Sequence, residues 1–336
     1  MVWFRRYPSA YIEGGSWDEA TLNENKSVLK KIRIIPRILR DVSQVSTLCS
    51  DSLGEHKLQI GISPTAFHKM VTPRGELATA RAAERADIPY IVSCYSSLSQ
   101  ERIVHELDKR IYWQQIYFFE DRDKTRRLVE ESEKLKASAI VVTVGTPVSG
   151  KRLREIDSRW KVARHLSYRT RGKSERSISE IVKCELRQDV VWSDIRDLVA
   201  STKVPIVLKG VLDKEDAKKA VEVGVRGIIL SNHGGRQLED AVVVYDVIDE
   251  IKNAVGGNFP IYIDGGIRTG HDVTKALVAG ASRVFIGREI LRRLYKGGEM
   301  CLSKYFIELR EDLVNDMKLC GCADIESLRT LKKVWR

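Results

Sequence analysis

The chain of 336 residues has no apolar run near the ~20 residues a membrane-spanning helix requires, and Met1 to Arg6 lacks the apolar segment of a secretory signal. A soluble, intracellular protein with no membrane partner is expected, cytoplasmic by default. The final residues, Val334-Trp335-Arg336, lack a Ser-Lys-Leu-like tripeptide, so residence in peroxisomes would be without its simple address. Cysteine is sparse. Cys49, Cys94, Cys184, Cys301, Cys320 and Cys322 form no CxxC pair and lie scattered along a long chain, which argues against a disulfide framework and for free thiols in a reducing compartment. The histidines show neither HxH nor HExxH spacing, so no metal site is expected. Aromatic residues make up 7%, and the densest basic stretch, Lys151 to Arg187, lacks the regular aromatic interleaving of a single-strand binder. It reads as a solvated surface loop, and the net charge of +11 does not by itself point to nucleic acid.

Short apolar runs are present in number, each followed by a polar or glycine-containing turn and then by a stretch of helical spacing. Eight can be placed, at Gln59 to Ser63, Tyr90 to Ser93, Ile111 to Tyr117, Ala139 to Val144, Pro205 to Lys209, Gly227 to Ser231, Pro260 to Asp264 and Arg283 to Gly287. Helical patterns lie between them, including Gly75 to Ala86, Asp121 to Lys136, Asp213 to Val223 and His271 to Ala279. Eight βα units joined by right-handed crossovers close into a (β/α)8 barrel. One domain over 1–336 is expected: an extension over 1–57 with a helix at Trp17 to Lys30 that caps one end, the barrel over 58–300, and helices over 301–336. The fourth connection is long and basic, and loops of that length in a compact domain are usually lids or disordered.

In such barrels the working residues sit at the C-terminal ends of the strands. The fifth run ends in Lys209, the sixth enters Ser231-Asn232-His233-Gly234-Gly235-Arg236, the seventh Asp264-Gly265-Gly266-Ile267-Arg268, and the eighth Gly287-Arg288. A strand-end Lys or Arg is more often a surface charge than a ligand, and a lone glycine pair more often a turn. Polar residues alternating with glycine at four consecutive strand ends are harder to explain that way. After the last two strands, glycines let backbone N–H groups approach a phosphate, Arg268 and Arg288 add charge, and Asp264 suits sugar-like hydroxyls. His233 beside Arg236 suits a carboxylate substrate, the guanidinium clamping the acid and the imidazole taking a proton.

The blocks SNHGGRQLE (Ser231 to Glu239), DGGIRTGHDVTKAL (Asp264 to Leu277) and FIGR (Phe285 to Arg288) resemble those of the FMN-dependent 2-hydroxy acid oxidases and dehydrogenases. YIEGG, PRILRDV, SPTAFHKM, GELATARAA and LKGV support the resemblance almost from end to end. It implies FMN as cofactor, with Pro64, Thr65, Ala66, Ser93, Gln115 and Thr143 along the flavin ring and Lys209 and Ser231 near its pyrimidine edge. Asp264 would hold the ribityl chain, and Gly265, Gly266, Ile267, Arg268, Gly287 and Arg288 the phosphate end. Tyr11, Tyr117, Arg152 and Arg236 would contact a small 2-hydroxy acid, with His233 as base. Oxygen, giving hydrogen peroxide, or another acceptor would reoxidise the flavin, and a homotetramer is implied.

One position departs from the family. Where it carries Asp in a TVDTP-like segment, this chain reads Thr143-Val144-Gly145-Thr146-Pro147, so the base loses its carboxylate partner. A slower enzyme or a shifted pH dependence is expected. The fourth loop is also shorter and more basic than in the glycolate oxidases. Two other readings stand beside an active oxidase: an FMN-binding protein that has lost catalysis through Gly145, and an aldolase-like barrel using Lys209 as a Schiff-base lysine.

Overall fold

A computed structural model describes residues 8–107, 112–163, 166 and 177–335. Eight parallel strands close a barrel: β1 (Ile60–Ile62), β2 (Tyr90–Val92), β3 (Tyr112–Ile116), β4 (Ala139–Thr143), β5 (Ile206–Val211), β6 (Gly227–Leu230), β7 (Ile261–Asp264) and β8 (Arg283–Ile286). Each pairs with its sequence neighbour, and β8 returns to β1 through Val284 to Ile60 and Ile286 to Ile62. All eight expected strands are found within two residues of their limits. Residue 111, placed at the start of the third, lies outside the described residues, as do 164–165 and 167–176 of the basic loop.

The strands are short apolar runs because both of their faces are covered. Ile91, Trp113, Ala139, Val141, Val207, Ile229, Tyr262 and Phe285 fill the barrel interior, while the alternate residues pack against the outer helices. Side-chain caps set several helix starts. Asp121 accepts from the Lys124 N–H before Arg122–Lys134, Asp213 from Glu215 and Asp216, and Thr269 forms a reciprocal box with Asp272 at Gly270–Ala279. Each such cap contributes about 1 kcal/mol.

The N-terminal extension serves both ends of the barrel. The antiparallel ribbon Cys49–Asp51 with Gly54–His56 brings Leu53 against the interior cluster, where Asp51 pairs with the buried Arg283. The helices Ser9–Glu13 and Ala20–Lys31 lie instead beside the strand-end loops, and Ile32–Ile34 pairs with Lys333–Trp335.

The basic stretch corrects one expectation. Its described part is not a solvated loop throughout, because it contains the helices Leu153–Asp157 and Ile178–Glu185. It also buries Arg152, Glu155, Val162, Ile181, Val182 and Leu186. Apolar residues dispersed among many charges hid this inward face from a reading by composition.

Candidate active site

A cleft opens at the C-terminal end of the strands, lined by residues from all eight strand ends. Its lining includes all but one of the residues expected from the sequence to hold cofactor or substrate or to act as base. The exception, Ser231, is buried one layer back and receives a hydrogen bond from Lys209 Nζ at 2.8 Å.

At one end of the cleft β7 runs into Gly265 and Gly266, whose φ angles are +104° and +81°. A Cβ on Gly266 would lie 2.0 Å from the Asn25 carbonyl oxygen, so the helix Ala20–Lys31 can pack here only against glycine. Beyond β8, Gly287 precedes the helix starting at Arg288, whose first-turn N–H groups make an anion-binding terminus. Asp264 Oδ2 pairs with Lys209 at 2.7 Å and accepts from Ser63 at 3.3 Å, while its Oδ1 is buried with no hydrogen-bond partner. An acceptor left bare inside a cleft costs about 1–3 kcal/mol unless a ligand donor reaches it. The residues therefore fit a molecule with a phosphate and a hydroxylated chain.

Along the middle of the cleft, Gln115 Oε1 accepts from the Cys94 N–H at 3.2 Å and its Nε2 donates to Thr143 at 3.1 Å. Thr65 is held by His68 at 2.7 Å, and His68 in turn by Thr79 at 2.7 Å. These bonds fix polar atoms from four strand ends beside the space a flat ring system would take.

His233 has φ +57°, a left-handed conformation stabilised by its N–H bond to Ser231 Oγ at 3.0 Å. Burial, followed by the charges of Lys209, Arg236, Arg152 and Arg288, pushes its pKa well below the ordinary histidine value, so the imidazole is neutral at pH 7. Its Nδ1 lies 3.3 Å from Thr146 Oγ1. Thr146 was not among the residues expected in the site, and it sits beside the imidazole, next to Gly145.

The arginines are more committed than expected. Arg236 Nη1 donates to the Tyr11 and Gly14 carbonyls at 2.6 and 2.9 Å, and burial lowers its pKa to about 10. Arg288 donates to the Ile12, Gly234 and Gly14 carbonyls, and burial beside Arg236 and Arg268 pushes it down to about 9. Arg152 pairs with buried Glu155 at 3.2 Å. The cleft thus holds Lys209, Arg152, Arg236, Arg268 and Arg288 close together with few carboxylates. Phe67, Tyr95, Ile181 and Val182 also line it and were missed. Tyr95 lies three residues beyond β2 and was open to the strand-end rule, whereas Ile181 and Val182 carried no signal within a charge-rich stretch. Among the described residues, no group of three or more His, Cys, Asp or Glu could hold a metal.

Residues 5–334 match the family of FMN-dependent dehydrogenases. The chain is 39% identical over 95% of its length, and 91% of the relative's, to 2-hydroxyacid oxidase 2 of Homo sapiens. It is 35% identical to 4-hydroxymandelate oxidase of Amycolatopsis orientalis, covering 96% of this chain and 92% of that one. A solved structure of mandelate oxidase with (S)-4-hydroxymandelic acid superposes with a TM-score of 0.92 at 34% identity, over 97% of this chain and 93% of that one.

Proposed function

Because the chain belongs to the FMN-dependent dehydrogenase family, we propose that its strand-end cleft oxidises a 2-hydroxy acid to the 2-oxo acid with His233 as base and oxygen as final acceptor, giving hydrogen peroxide. The protein is an FMN-dependent oxidoreductase acting on the CH–OH group of 2-hydroxy acids. One observation supports this assignment of roles above the others. A neutral buried imidazole and two guanidinium groups share a cleft with a glycine turn, a helix N-terminus and the bare Asp264 oxygen.

Asp264 would accept from the ribityl hydroxyls, and Gly265 to Arg268, Gly287 and Arg288 would hold the phosphate. Pro64, Thr65, Ala66, Ser93, Gln115 and Thr143 would bound the ring, with Lys209, itself bonded to Ser231, toward its pyrimidine edge. Bound FMN supplies the two-electron acceptor that no side chain here can provide. Arg152 and Arg236 hold the substrate carboxylate, and Tyr11 and Tyr117 orient the 2-hydroxyl. Both phenols stay protonated, since burial raises their pKa values, and so act as hydrogen-bond donors. His233 takes one proton as the CH–OH group is oxidised, and Thr146 Oγ1 accepts from the Nδ1–H of the imidazolium that results.

The binding-only reading has an observation of its own in Gly145: among the described residues no carboxylate is bonded to the His233 imidazole. Anaerobic mixing of the flavoprotein with 2-hydroxy acids separates the two. Bleaching of the yellow flavin, with peroxide on readmission of air, is expected; a flavin that stays oxidised with every acid would support binding alone. We assign the assembly as a homotetramer, to be checked by light scattering, and the compartment as the cytoplasm, to be checked by imaging. Among the described residues no helix is long and apolar enough to cross a membrane.

A further inference from the structure

The helix Ile178–Glu185 is tied to the strand-end segment after β3 by main chain and side chain together. The Glu120 N–H donates to the Glu185 carbonyl at 2.9 Å and the Arg187 N–H to that of Phe118 at 3.1 Å, around the Phe119 to Leu186 bridge. Lys124 Nζ pairs with Glu185 Oε2 at 2.7 Å with both side chains largely buried, and lies 3.7 Å from the centre of the Phe119 ring. The Tyr95 hydroxyl donates to the same carboxylate oxygen at 3.4 Å.

This clamp sets one wall of the cleft. The helix it holds turns Ile181 and Val182 into the cleft. Tyr95 joins Phe67 and Tyr117 in a run of rings with centroids 6.3 and 6.1 Å apart. Ile181, Val182 and these rings are uncharged lining residues, and the Lys124–Glu185 pair bonded to the Tyr95 hydroxyl is already mutually satisfied. A second substrate carboxylate placed here would lose its water and find the Glu185 carboxylate behind Tyr95. An alkyl or aryl group would gain by burial.

We propose that the Lys124–Glu185 pair, joined by the Tyr95 hydroxyl, is a positioning device for specificity that seats Ile181 and Val182, so that the enzyme prefers monocarboxylic 2-hydroxy acids with an apolar side chain of several carbons. Glycolate leaves this wall unfilled, and 2-hydroxy dicarboxylic acids bring a charge to it. The proposal rests on the 2-hydroxy acid reading of the site. Glu185 and Lys124 are positioning residues that touch neither substrate nor cofactor.

The test uses the FMN-loaded enzyme, mixed anaerobically with glycolate and with the (S) forms of 2-hydroxyoctanoate, mandelate and malate, with the second-order rate of flavin bleaching as readout. Each buried methylene is worth about fourfold, so 2-hydroxyoctanoate or mandelate should exceed glycolate at least tenfold, with malate slowest. In Glu185→Gln and Val182→Thr the octanoate-to-glycolate ratio should fall several-fold. A uniform fall for all acids would show a merely structural role and overturn the device. Wild-type enzyme led by glycolate or malate overturns the proposal while the 2-hydroxy acid reading stands, and decides the matter even if both variants lose flavin. Bleaching by none of the four overturns the underlying reading together with this one.

Discussion

Replacing Gly145 with Asp tests how the base works. A carboxylate about 4 Å from the imidazolium would interact by about 4 kcal/mol at an effective dielectric of 20. Part of that gain is offset by removing the carboxylate from water, although Lys209, Arg236 and Arg152, which now depress the His233 pKa, would also attract it. A net rise on the order of 1–2 pKa units, or roughly 1.4–2.7 kcal/mol, is a reasonable expectation. A stronger base in the same geometry speeds proton removal, so kcat/KM at pH 7 should rise about three- to tenfold. The acid limb of the pH profile moves upward, because a raised pKa keeps the imidazole protonated to higher pH. The backbone resists a little: a Cβ at 145 would lie 3.1 Å from Gly210 Cα, beside the register shift between Lys209 and Val211. A loss of about 1 kcal/mol in stability is expected from this crowding. The assay is anaerobic flavin reduction from pH 4 to 9 for wild type, Gly145→Asp and the uncharged Gly145→Asn. If Gly145→Asp folds and binds FMN but its acid limb coincides with that of Gly145→Asn, the carboxylate argument is wrong.

Other outcomes follow from the same geometry. In the wild-type free enzyme the acid limb of kcat/KM should lie below the ordinary histidine range, since the imidazole stays neutral until the pH falls through its depressed pKa; a limb above pH 6.5 would contradict this. Asp264→Asn should weaken FMN binding by about 10- to 100-fold, measured by quenching of flavin fluorescence, as a charge-assisted acceptor becomes a neutral one. Lys209→Met should lower the stability of the flavin-free protein by about 3–5 kcal/mol in urea, because it leaves the buried Asp264 carboxylate unpaired. Gly266→Ala should lower Tm and flavin content together, as it forces a Cβ onto the Asn25 carbonyl and strains a left-handed residue.

The barrel was legible in the sequence because buried parallel strands are nearly continuous apolar runs, and glycines at strand ends mark where the backbone must turn sharply or approach a ligand. Lys209, His233 and Asp264, near the C-terminal ends of β5, β6 and β7, could be placed in the cleft by position alone. Residues acting from the fourth connection could not. Ile181 and Val182 share their helix with Glu180, Lys183 and Glu185, and only the contacts of Glu185 with Lys124 and Tyr95 show which face turns inward. Thr146 carries no signal of its own in the sequence, because its bond to His233 depends on how the loop folds. The commitment of Arg236 and Arg288 to carbonyls of residues 11–14 was equally hidden, being set by the approach of the N-terminal helix to the barrel mouth.

The charges in the cleft connect these features. Among the described residues five cations, Lys209, Arg152, Arg236, Arg268 and Arg288, line a space to which Asp264 contributes the carboxylate. Glu155 partly offsets Arg152 and Arg236 from one side. Such an excess is costly to bury alone, as the lowered pKa values of Arg236 and Arg288 indicate. A phosphate and a substrate carboxylate remove the cost, so the site is electrostatically complete only when both are bound. An Asp at 145 would satisfy part of that excess permanently and strengthen the base, at the expense of attraction for the ligands. Glycine shifts the balance the other way: the imidazole is a weaker proton acceptor, and the anionic ligands meet a more positive site. Gly145→Asp should therefore raise the KM for the acid even as it raises kcat, and titrating both parameters against ionic strength checks the point. If KM falls or stays unchanged, the cations do not act as the common reservoir of attraction described here.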